Sequence, residues 1–142
     1  MKTTAIALAA MGLFASAPAF AAPVSASFQN LGKVQMTVST VNTCGSFLPK
    51  PAAVLAGQTS PVSSTDCGTT ASAAHVTYYM GSKRCIFHIS TIYTIPSPLL
   101  GTPGYWTPKA SADSSGGATC NVVSQDLSKI GTGAFKAVFS MK

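Results

Sequence analysis

Beyond residue 22 the chain alternates apolar and polar residues with a period of two, and no apolar stripe at helical spacing appears. Val24, Ala26 and Phe28 alternate with Ser25, Ser27 and Gln29. After a turn-forming stretch from Asn30 to Lys33, Val34, Met36 and Val38 alternate with Gln35, Thr37 and Ser39. Neighbouring side chains of a strand point to opposite faces, so each set reads as a strand with one buried side. Val41 falls out of phase with the second set, which predicts a bulge or strand end near Ser39 and Thr40. Phe135, Ala137, Phe139 and Met141 mark another strand, and Cys120 with Val122 a shorter one.

The strongest local pattern runs from His75 to Ile95. Gly81-Ser82 separates two β-rich runs as the Gly-X pair that a two-residue type II′ hairpin turn requires. With Met80 opposite Lys83, counting places Val76, Tyr78, Met80, Cys85, Phe87, Ile89, Tyr93 and Ile95 on the core face. Thr77, Tyr79, Arg84, Ile86, Ser90, Ile92 and Thr94 share the other face. Pro96, without an N–H to donate, ends the strand.

Two Pro-rich stretches read as long connections, from Gly45 to Ala74 with one helical turn at Ala52 to Leu55, and from Pro96 to Gly117. Loops of that length lose much entropy on ordering, and cross-links are the remedy available to this chain.

The first residues say where such cross-links form. Lys2, the apolar run from Ala5 to Phe14 and the small-residue site Ala19-Phe20-Ala21 have the order of a secretory signal. Residues 1–21 are therefore expected to be a cleaved signal peptide and 22–142 a single exported β-rich domain, addressed to the periplasm, cell surface or medium. The apolar run is too short to span a bilayer, which takes about 20 residues. In an oxidising compartment Cys44, Cys67, Cys85 and Cys120 read as two disulfides. Three pairings exist. The preferred one, Cys44 with Cys67 and Cys85 with Cys120, clamps both long connections, each closure contributing about 3 to 4 kcal/mol in the chain-entropy view.

Charge narrows the partners. Nine Lys and Arg face three Asp, for a net +6, but Lys33, Lys50, Lys83, Lys109, Lys129, Lys136 and Lys142 are scattered, and Lys83-Arg84 is the only adjacent pair. Nucleic-acid binding needs cations gathered along one groove, so no such role is expected. A thin positive field suits attraction to an anionic envelope polysaccharide, or simply solubility.

Few residues offer chemistry. The hairpin register sets His75 opposite His88, near enough for both imidazoles to share a metal ion, yet no Asp, Glu or free Cys stands at a spacing that adds a third ligand. An ordinary solvated pair is the alternative. With two His, no Glu, and Asp66, Asp113 and Asp126 in loop-like surroundings, the chain lacks positioned acids and bases, so no enzyme activity and no cofactor are expected. Tyr105-Trp106, in a Pro and Gly-rich stretch, is the candidate ligand-binding pair, for a sugar face or a protein partner. Its alternative role is to fill the core beneath the loop.

Val38-Ser39-Thr40-Val41-Asn42-Thr43-Cys44, a strand running into a cysteine, and the alternating strand Phe135 to Met141 resemble segments of chaperone–usher pilus subunits in pattern and placement. The resemblance implies an incomplete sandwich completed by a strand donated from a neighbour. The chain departs from that family at Met141, where a penultimate tyrosine would stand, and in its long Pro-rich loop.

The expected fold is all-β, a small antiparallel sandwich or partly open barrel of about six strands with two disulfides. The expected role is a non-enzymatic structural or interaction module of the bacterial cell envelope. The alternatives are a pilus-subunit-like protein that assembles through edge strands, and a soluble binding protein using Tyr105-Trp106 or the His75/His88 pair.

Overall fold

The computed structural model describes residues 22–68, 70–97 and 101–142. The signal-peptide expectation for residues 1–21 lies outside them. The described residues form eight strands: β1 (Val24–Asn30), β2 (Thr37–Thr43), β3 (Ser63–Thr65), β4 (Ala71–Met80), β5 (Lys83–Thr94), β6 (Tyr105–Ser115), β7 (Cys120–Asp126) and β8 (Phe135–Met141). They build two four-stranded sheets, ordered β3-β1-β8-β7 and β2-β4-β5-β6. Six of these strands are the ones the alternation predicts; β3 and β6 lie inside the two stretches read as connections.

Alternation sets the core. From the first sheet Val24, Ala26, Phe28, Phe135, Ala137, Phe139 and Met141 point inward, and from the second Val76, Tyr78, Met80, Cys85, Phe87 and Ile89 meet them. Phe28 sits within an aromatic cluster, with ring centroids 5.0 Å from Tyr78, 5.6 Å from Phe87 and 5.9 Å from Phe139. The Tyr78 hydroxyl donates to the Ala52 carbonyl at 3.0 Å, which satisfies the one polar atom this ring carries inside. Burial pushes the Tyr78 phenol far above its ordinary range.

The hairpin forms in the predicted register, Met80 opposite Lys83 and His75 opposite His88. Gly81 takes φ +63° and among the described residues no non-glycine residue has positive φ, as a turn with only its first central residue left-handed demands. The β2 register shifts between Val38 and Thr40, so Val41 regains the inward face opposite Val76. Two apolar residues depart from expectation. Val34 precedes β2 and Ile95 follows β5, so neither is held against the core, and they are 57% and 54% exposed.

β1 has neighbours on both sides. It runs parallel to β8 over its whole length, from Val24 opposite Phe135 to Asn30 opposite Met141. Its other edge is taken first by β3 and then by the strap before it, with Ser60 N–H donating to the Phe28 carbonyl and Asn30 N–H to the Gln58 carbonyl, both at 2.9 Å. That strap replaces the helical turn expected at Ala52 to Leu55. Val54 is extended, exchanging both backbone hydrogen bonds with Met36 and burying its side chain, a stronger tie than one isolated turn offers.

Both disulfides join the preferred pairs, Cys44–Cys67 and Cys85–Cys120, and no free cysteine remains among the described residues. Two cystines mark an oxidising, non-cytoplasmic environment. Among the described residues no helix is long and apolar enough to cross a membrane.

Candidate functional site

The outer face of the β2-β4-β5-β6 sheet carries a polar row that crosses all four strands. Asn42, His75, His88 and Ser111 stand side by side in register, each paired with the next. Facing away from the core, these side chains contribute no apolar burial. Together with Lys109 and Asp113 they line an open cavity of about 710 Å³.

The two imidazoles are in contact, ring centroids 4.4 Å apart and planes inclined by 47°. Asp113, on β6 beside the row, accepts a hydrogen bond from His88 Nε2–H at 3.1 Å. Desolvation lowers the His75 pKa, and repulsion from His88 and then from Arg84 lowers it further, while the Asp113 charge raises it. His75 therefore tends to stay neutral beside an imidazole fixed by a carboxylate.

Asp113 is the residue that sequence reasoning missed. Residues 96–117 read as a loop, where no neighbour for an aspartate can be counted. In the structure they contain an eleven-residue strand registered on β5 from Arg84 to Thr94. Asp126 does what a loop aspartate is expected to do, its Oδ1 accepting from Ser128 N–H at 2.9 Å.

The same strand corrects the reading of Tyr105-Trp106 as a loop pair. Adjacent residues of a strand face opposite ways, so the two rings cannot form one surface. Trp106 points inward, half-buried, its ring centroid 5.1 Å from that of Tyr93. It lies against Gly133, which has φ +79° and leaves a Cβ only 2.4 Å from the indole, so the close approach itself demands glycine. Tyr105 points outward, 54% exposed, opposite Thr94.

As ligands, His75 and His88 offer a divalent ion two nitrogens. The Asp113 contact is the kind of outer partner that orients a metal-binding imidazole. Structural zinc sites take four ligands, and among the described residues no group of three or more His, Cys, Asp or Glu side chains is arranged to hold a metal ion. Hydroxyl, amide, ammonium and carboxylate groups around the imidazoles suit a hydroxyl-rich ligand better. No protein-family model matches this chain, and no curated protein matches its sequence.

Proposed function

We propose that this protein is an exported, non-enzymatic interaction module of the bacterial cell envelope that binds an anionic polysaccharide on the outer face of its β2-β4-β5-β6 sheet. The observation that carries the reading is the Asn42–His75–His88–Ser111 row with Asp113 against His88, at the floor of an open cavity. Lys109 and Arg84 supply positive charge on that face, and the basic balance of the chain favours approach to an anionic surface.

The pairing of β1 supports a sandwich complete in itself. Strand donation to a neighbour would require β1 to leave ladders on both edges and to withdraw Val24, Ala26 and Phe28 from the core.

The test is a titration of the purified exported protein with fragments of acidic envelope polysaccharide, following the imidazole NMR signals. Binding is expected to move His75 and His88 together and to be lost in Ser111→Trp, which fills the cavity from the solvent side. Unmoved imidazoles, or undiminished binding by Ser111→Trp, would overturn the proposal. A metal-ion reading draws on the carboxylate-held His88 beside His75; zinc or copper that leaves both signals in place removes it.

A further inference from the structure

Three lysines far apart in sequence meet at one end of the sandwich. Lys33 lies in the turn between β1 and β2, Lys83 begins β5 just past the Gly81-Ser82 turn, and Lys142 follows β8. Backbone bonds hold the Lys33 turn and Lys142 at this end, and Gly32 packs on Met80, the strand partner of Lys83. Leu31 N–H donates to the Met141 carbonyl at 2.8 Å, and Thr119 and Lys142 exchange N–H to carbonyl bonds at 2.8 and 2.9 Å. The buried Asn30 side chain shapes the turn, its Nδ2 donating to the carbonyls of Val34 and Val54 and its Oδ1 accepting from Gly32 N–H.

Between the lysines the surface is apolar and concave. A cavity of about 510 Å³ is lined by Leu31, Gly32, Val34 and Met80 with the three lysines around them, and among the described residues no acidic side chain lines it. Among the described residues none of the three lysines has an ion-pair partner. Met80 is recessed, 6% exposed, whereas Leu31 and Val34 stand 55% and 57% exposed. Gly32 lies so close over Met80 that a Cβ there would sit 2.3 Å from the thioether sulfur, so the missing side chain leaves Met80 as the floor. A flexible thioether adapts to an apolar guest better than a branched side chain does.

We infer that this cavity binds a single-chain anionic amphiphile, the alkyl chain lying on Leu31, Val34 and Met80 and the carboxylate or phosphate head held by Lys33, Lys83 and Lys142. Three unpaired cations select the head, and an apolar floor selects the tail; a polysaccharide would leave that floor unused. The recess at Met80 favours one inserted chain over the flat contact that a bilayer surface makes. The site shares no residue with the histidine row, so the two stand or fall separately.

The exported protein, labelled at its methionine methyls, would be titrated with dodecanoate and dodecyl phosphate below micelle formation, with dodecyl maltoside as the uncharged control. The Met80 methyl signal is expected to shift with both anions, at least tenfold more tightly than with the maltoside. Lys33→Glu/Lys83→Glu/Lys142→Glu should lose the anions by tenfold or more at unchanged circular dichroism, and Leu31→Ser/Val34→Ser should weaken all three ligands. Equal affinity for the maltoside, a Met80 signal that stays in place, or a response to phosphatidylglycerol vesicles alone would overturn the assignment. The wild-type Met80 shift decides even if a variant fails to fold.

Discussion

His75 and His88 face one another across β4 and β5 with ring centroids 4.4 Å apart, and Asp113 from β6 holds His88 at 3.1 Å. The three side chains form one electrostatic unit on a surface otherwise rich in hydroxyls, and their couplings have opposite signs.

Replacing His88 by Asn removes a repulsive neighbour, so the His75 pKa is expected to rise toward 6.5, whereas Asp113→Asn removes the one raising influence and should lower it further. Imidazole NMR titrations of the two variants check this, and shifts in the same direction would refute it. Because the folded pKa of His75 lies below its unfolded value, the unfolded chain binds the extra proton first on acidification. Stability is therefore expected to fall as pH drops below about 6.5 and to level off once the folded pKa is passed, with the His88→Asn variant showing a shallower loss.

Deleting residues 22–30 removes the strand between β3 and β8 and takes Phe28 from the aromatic cluster. A buried Phe→Ala change alone costs about 3 to 5 kcal/mol, so the truncated chain should unfold and the intact one should elute as a monomer in size-exclusion chromatography. Stable oligomers of the intact chain that dissociate on truncation would revive assembly by strand donation.

The two cystines should differ in weight. Each closes a loop worth about 3 to 4 kcal/mol, but Cys85 is fully buried while Cys44 is exposed. Cys85→Ala/Cys120→Ala is expected to lower the denaturation midpoint more than Cys44→Ala/Cys67→Ala, since it also leaves a gap in the core. Urea titrations of the two double variants give the comparison.

Trp106→Ala should destabilise by about 3 kcal/mol because the indole fills the space between Tyr93 and Gly133. Tyr105→Ala, on the exposed face, should stay within about 0.5 kcal/mol. Thermal melts separate them, and equal losses would mean that the inward and outward assignments are wrong.

Much of the sandwich is legible in the sequence where a turn residue fixes register. Gly81-Ser82 alone determines pairing out to His75 and His88, because every later pair follows by counting. The phase slip at Val41 likewise announces the β2 bulge. β6 escapes because Pro103, Gly104 and Pro108 read as loop residues. Pro108 is tolerated since β6 is an edge strand, with an open side where a missing N–H breaks no ladder. β3 escapes because three residues are too few to show a period. Asp113 and the lysine-rimmed cavity escape for a different reason. Their members come from separate strands or strand ends, and one chain's alternation says which face a residue takes, not which strand lies next to it.

That limit has a counterpart in assembly. β4, β5 and β6 follow one another and can zip as soon as they exist, whereas β1 waits for β8, more than a hundred residues downstream, before its second edge is covered. A chain halted by synthesis or proteolysis before residue 135 would present one whole side of β1 bare, an adhesive ribbon open to aggregation or to degradation. The parallel ladder between β1 and β8 thus ties the covering of that edge to the synthesis of residues 135–141.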